Sequence, residues 1–123
     1  MTKLIKVLAT TVLAIFLVGT LSGCATTTMD MKAVGTVIDV RTPLEYSQGH
    51  LQGAQNIDVE GANFATEIGA LDHKANYVLY CHSGRRAGMA LDYMKSNGFT
   101  GTLTNAGAIA DAANLTMLPI VQK

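Results

Sequence analysis

Charge and cysteine are both scarce in this chain. Only 15% of the 123 residues are charged, and nine Lys and Arg balance nine Asp and Glu. No net positive field is available to hold a phosphate backbone, so a strongly basic nucleic-acid binder is excluded; so is an acidic tail protein. Cys24 and Cys81 are the only cysteines. They allow one disulfide at most, which excludes a cysteine-stapled scaffold and a zinc-ligand cluster. No two of the three histidines have metal-ligand spacing, so neither a metal nor another cofactor is expected. Internal repeats and low-complexity tracts are lacking too. Apolar residues are plentiful at 49%, too many for a disordered chain, and the length suits one domain.

The apolar total is weighted toward the N-terminus. Fourteen of the first 23 residues are apolar, with Lys3 and Lys6 and no acid among them. A short positive region, a mostly apolar run from Val7 to Thr20 and the small residues Ser22 and Gly23 have the layout of a secretory signal. The run Leu21-Ser22-Gly23-Cys24 resembles the bacterial lipobox. Cleavage there makes Cys24 the new N-terminus, and a diacylglycerol thioether on its sulfur holds the domain at a membrane. Two other readings stay open. One is an uncleaved membrane helix, for which Val7–Leu21 is short against a hydrocarbon core of about 30 Å. The other is plain cleavage, with Cys24 a bystander. Ala25 is not an acidic retention residue, which by resemblance to bacterial sorting patterns points to the outer membrane. The expected organisation is a signal at 1–23, a tether at 24–33 and a folded domain at 34–123. The expected location is the periplasmic face of the bacterial cell envelope. Residues 24–123 carry seven basic and nine acidic side chains, and 100 residues can bury a core without staples.

Within the folded part, Ala33 to Val40 is a β-branched run that predicts a buried strand. Thr42, Pro43 and Glu45 form a capping box with proline at the first helical position, and Gly49 ends the short helix. Ala54–Val59 is a weaker predicted strand, and 62–71 shows helical spacing through Phe64, Ile68 and Leu71. Tyr77-Val78-Leu79-Tyr80 is the clearest strand. From Arg86 to Asn97, Ala87, Ala90, Leu91 and Met94 mark one helical face, and Gly98 terminates it. Leu103 marks a short last strand and 107–115 a small helix. Strands alternating with helices predict an α/β domain, with a mainly parallel central sheet covered on both faces. Ligands in such sheets bind beyond the carboxyl ends of strands, which is where Cys81 falls.

Cys81-His82-Ser83-Gly84-Arg85-Arg86 links that clearest strand to a helix. Consecutive amides there can converge as an anion nest, and the helix start adds partial positive charge. Arg85, Arg86 and a protonated His82 strengthen the field, and Gly84 supplies the freedom for a tight turn. A cysteine so placed has a depressed pKa and is a nucleophile. The competing reading is that Cys81 is a small buried filler. His, Ser, Gly and two Arg are unusual company for an inert core thiol.

Cys-x-x-Gly-x-Arg after a strand resembles the active-site loop of the rhodanese family. Val37 to Tyr46 and Gly49-His50-Leu51-Gln52-Gly53-Ala54 resemble that family's N-terminal signature, and Tyr77 to Phe99 its strand, loop and helix. The resemblance spans about residues 34–114 and is strongest to single-domain thiosulfate sulfurtransferases exported by bacteria. It implies that the Cys81 thiolate takes the sulfane sulfur of thiosulfate as a persulfide and passes it to cyanide or a thiol. It also implies supporting roles for Asp39, Arg41, Glu45 and His50. Asp39 is expected to orient the loop through Arg86, while Arg41 and Glu45 form a structural ion pair. His50 is a general base or, with more weight, a hydrogen-bonded structural residue. His73 is expected to be exposed. The chain departs from the family at Asn105-Ala106-Gly107-Ala108 and has no tryptophan, which puts the last helix in doubt.

Two rivals remain. A phosphatase or arsenate reductase also uses a loop cysteine and an arginine, but related phosphatases have a loop one residue longer. Only four residues separate Cys81 from Arg86 here, which favours a small sulfur substituent. A noncatalytic rhodanese-like binding module is the other, and such modules typically lose the cysteine that this chain keeps.

Overall fold

The structure, a computed structural model, describes residues 35–122. The signal at 1–23, Cys24, the tether at 24–33 and the first residues of the strand expected from Ala33 lie outside the described residues. Four strands, β1 (Thr36–Asp39), β3 (Gln55–Asn56), β4 (Tyr77–Cys81) and β5 (Leu103–Ala108), form one sheet in the order β3-β1-β4-β5. All its neighbours are parallel, with Ile38 opposite Leu79 and Leu79 opposite Asn105. Its helices are α1 (Pro43–Gln48), α2 (Phe64–Gly69), α3 (Arg85–Ser96) and α4 (Ile109–Thr116). This is the expected α/β architecture.

Side-chain alternation divides the core in two. From β4, Tyr77, Leu79 and Cys81 point to one face, where they join Ile38, Ile68 and the α3 stripe of Ala87, Ala90, Leu91 and Met94. Val78 and Tyr80 point to the other, where they meet Val37, Leu51, Ala106 and Ala112 of α4. Burial on both faces explains why β4 reads as an unbroken apolar run. The chain leaves β1 toward β3 on one side and leaves β4 toward β5 on the other. The β1/β4 seam is therefore the switch point of the sheet, and Cys81 closes β4 at its carboxyl end.

Several boundaries differ from expectation. The strand expected at 54–59 pairs regularly only at Gln55–Asn56, because it is an edge strand that peels away; Ile57 and Val59 still donate to the carbonyls of Asp39 and Val40. Helix α2 is shorter than 62–71: Asn63 supplies no side-chain cap and Ile68 is its one buried residue. The last sheet strand is longer, since Asn105 to Ala108 stay in β5 and α4 begins only at Ile109. An unanticipated pair, β2 (His50–Leu51) with β6 (Ile120–Val121), runs antiparallel. Two-residue strands carry no readable period. Among the described residues no helix is long and apolar enough to cross a membrane.

Candidate active site

Cys81 is the last residue of β4 rather than the first of a loop, and it is fully buried. Its sulfur turns into the curve of His82-Ser83-Gly84 that precedes α3. Gly84 stands at the N-cap with φ +89°, a left-handed conformation that suits glycine. There its amide donates to Cys81 Sγ at 2.9 Å. Burial pushes the thiol up, but the backbone amides of Ala87, Ser83, Gly84 and Arg86 outweigh it, and the net pKa lies below that of an ordinary thiol. The depression thus comes from a ring of peptide dipoles. The burial that the filler reading requires is present, yet the sulfur faces donors.

Arg86 is committed elsewhere. Its guanidinium forks onto Glu45, with Nη1 to Oε2 at 2.7 Å and Nη2 to Oε1 at 2.8 Å. The same Glu45 Oε2 accepts from the amide and hydroxyl of Thr42, completing the capping box of α1. This corrects the expected pairing of Glu45 with Arg41. Arg41 instead grips Asp39, Nη2 to Oδ2 at 2.7 Å, donates to the Gly49 carbonyl at 2.6 Å, and lies over the Tyr80 ring. Asp39 therefore does not reach Arg86, and the reason is parity. It shares the Val37 side of β1 and stands opposite Tyr80, whereas Cys81 and α3 occupy the other face. The two ion pairs are exchanged relative to expectation. One supports the loop from α1, and the other closes the turn after β1 beneath the sheet.

His50 is buried, its ring stacked on Tyr46 at 3.7 Å, with Nδ1 2.9 Å from the Tyr46 carbonyl. A carbonyl only accepts, so that nitrogen carries the proton. These contacts tie His50 to α1. His82, Ser83 and Arg85 are exposed at the rim. His73 is half-buried against Phe99 at 4.1 Å rather than exposed, because the polar stretch around it folds over that ring. Asn56 was missed: its side-chain amide donates to the carbonyls of Asp39 and Arg41 and holds the end of β1. Asn105 was also missed, although Asn-x-Gly is a turn signal. It donates to the Gly84 carbonyl at 2.9 Å. Among the described residues no group of three or more His, Cys, Asp or Glu could hold a metal ion.

A thiol lowered by peptide amides, at the switch point of a parallel sheet and the start of a helix, has the setting that a cysteine nucleophile needs. Comparison with known proteins narrows the class. Residues 25–114 match the model of the rhodanese-like domain. Thiosulfate sulfurtransferase PspE of Escherichia coli strain K12 is 36% identical over 76 residues, covering 62% of this chain and 72% of that protein. Thiosulfate sulfurtransferase GlpE of Pseudomonas fluorescens is 36% identical over 64 residues, covering 52% of this chain and 57% of that one. A solved rhodanese with anions from E. coli superposes with a TM-score of 0.58 at 34% identity, over 72% of this chain and 98% of its own. The chain belongs to the rhodanese family of sulfurtransferases.

Proposed function

We propose that the chain is a thiosulfate sulfurtransferase working through a Cys81 persulfide. The observation that carries this reading is the Gly84 amide 2.9 Å from Cys81 Sγ, within a set of amides that lowers the thiol pKa. The Cys81 thiolate attacks the outer sulfur of thiosulfate. A new S–S bond forms, the old one breaks, and sulfite leaves with its electron pair. Cyanide or a thiol then attacks the outer sulfur of the persulfide, and the Cys81 thiolate is regenerated as leaving group. The same amides that favour the thiolate favour the persulfide anion. The names of the PspE and GlpE relatives support thiosulfate as donor. The four-residue spacing to Arg86 and the buried sulfur favour a slim donor over a phosphorylated macromolecule.

The test is to incubate the purified protein with thiosulfate and follow its intact mass. One added sulfur, removed by cyanide, is expected in the wild type and not in Cys81→Ser, whose hydroxyl is not ionised near neutral pH. Full sulfur transfer by a folded Cys81→Ser variant would refute the assignment.

The same reading extends to location. A lipid on Cys24 would hang the domain from the periplasmic face of a bacterial envelope membrane, and a diacylglycerol with an added acyl chain anchors firmly. The signal-like pattern ending in Leu21-Ser22-Gly23-Cys24 supports it. Fatty-acid labelling of the full precursor in a bacterium is expected and should vanish in Cys24→Ala. An unlabelled, soluble wild type, or a Cys24–Cys81 disulfide, overturns it.

A further inference from the structure

We propose that Asn105 is a positioning residue for the nucleophile: from the neighbouring strand it clamps Gly84 so that the Gly84 amide stays on the Cys81 sulfur. The inference rests on the reading of Cys81 as the sulfur-carrying residue.

The Gly84 carbonyl accepts two hydrogen bonds. One comes from Gly88 inside α3 at 3.0 Å and the other from Asn105 Nδ2 at 2.9 Å. The helix alone fixes this peptide from one side; Asn105 fixes it from the other. The Asn105 side chain is itself held, because its Oδ1 accepts from the Gly107 amide at 2.9 Å. It therefore reaches Gly84 in one orientation, with its donor end forward.

Strand β5 is distorted where this contact forms. Leu79 stands opposite Asn105, but Cys81 stands opposite Ala108, so two steps on β4 match three on β5. The extra residue is a bulge beside the nucleophile, and such bulges redirect side chains next to active sites. Close packing shows how tightly the bulge meets the loop. A Cβ built on Gly84 would lie 3.2 Å from the Gly107 Cα, and Gly107 holds φ +75°. The bulge, the Asn105 amide and Gly84 thus form one assembly. It fixes the Gly84–Arg85 peptide, and through the Gly84 Cα it restrains the preceding Ser83–Gly84 peptide, whose N–H the Cys81 sulfur accepts. Asn105 is exposed, so replacing it disturbs little of the core.

The experiment measures Cys81 ionisation directly. The full chain is alkylated with iodoacetamide across a pH series, and the Cys81 peptide is quantified by mass spectrometry, which keeps Cys24 apart. Asn105→Leu removes the donor without adding charge. Asn105→Asp keeps an acceptor for Gly107 and turns a carboxylate toward the Gly84 carbonyl. Both are expected to raise the alkylation midpoint by about one pH unit, a roughly tenfold loss of rate below the wild-type midpoint. Thr104→Ala, one residue away on the same strand, is expected to leave it in place. Wild-type midpoints in both Asn105 variants overturn the proposal, and so does an equal shift in Thr104→Ala. Should Asn105→Leu not fold, Asn105→Asp decides. Its shift must then persist in about 1 M salt, where simple charge repulsion is screened; disappearance in salt counts against the clamp. Because the readout is ionisation, failure of the clamp is distinct from failure of the sulfurtransferase reading, which Cys81→Ser tests.

Discussion

Replacing Glu45 with glutamine tests the exchanged ion pairs. Its carboxyl is held at about 2, against an ordinary 4.5, chiefly by the Arg86 fork and with the help of Thr42, despite the opposing effect of burial. One pKa unit is worth about 1.36 kcal/mol, so the full shift sets a ceiling of about 3.4 kcal/mol. The side chain is 31% exposed, and solvent screening reduces a realistic contribution to about 1–2 kcal/mol. The folded-state value is depressed. This stabilisation is therefore complete above pH 4.5 and is lost as pH falls through 4.5 toward about 2. Glu45→Gln is expected to unfold at lower urea at pH 7, by about 1–2 kcal/mol, and to approach the wild type as pH falls through about 2. A domain of this size loses roughly 4–8 °C of Tm per kcal/mol, so a thermal scan resolves the effect. A double-mutant cycle should couple Glu45 to Arg86 more strongly than to Arg41, which feels Glu45 only through a distant charge. A stability difference that stays constant from pH 7 to pH 2, or coupling to Arg41 instead, refutes the reasoning.

Gly84→Ala places a side chain on a left-handed residue facing Gly107, at a conformational cost of about 1–2 kcal/mol before any clash. It should lower Tm and slow Cys81 alkylation together; a stable variant with wild-type sulfur transfer would contradict the loop geometry. Tyr80→Phe removes the hydroxyl that accepts from the buried Leu51 amide at 2.9 Å, with an expected loss of about 1–3 kcal/mol in urea unfolding. Tyr80 lies on the sheet face away from the Cys81 sulfur, so the pH profile of alkylation should not move; a shifted midpoint would mean that the two faces are coupled.

What could be read before folding and what could not divide along physical lines. Strand β4, helix α3 and the capping box of α1 are local: a continuous apolar run, a 3.6-residue period and a Thr-x-x-Glu spacing each act within a few residues. The loop around Cys81 is equally local, since its glycine and its helix start lie within four positions of the sulfur. The ion pairs are not local. Arg86 and Glu45 are 41 residues apart, and which acid meets which arginine depends on the face from which each emerges. That parity follows from strand register, which a single chain does not display. The pairing of β2 with β6 and the reach of Asn105 across 21 residues to Gly84 fail to show for the same reason. The β5 bulge adds a residue that no periodic pattern announces.

Cys81 is the third member of a row on one face of β4, after Tyr77 and Leu79, and so is part of the hydrophobic interior. The placement of its sulfur is inherited from the pairing of β4 with β1 and β5. A one-residue slip of β4 would send Tyr80 to that face and bury the thiol among the residues beneath the sheet. Under the proposed Cys81 persulfide reaction, turnover would be a sensor of correct strand alignment. A collapsed chain with loosened tertiary packing would keep its helices and lose its chemistry, because no separate scaffold holds the sulfur once the interior loosens. With the sulfur carried by Cys81 as proposed, quality of packing and catalytic competence would be one property, and an activity measurement would count the molecules whose sheet is in register.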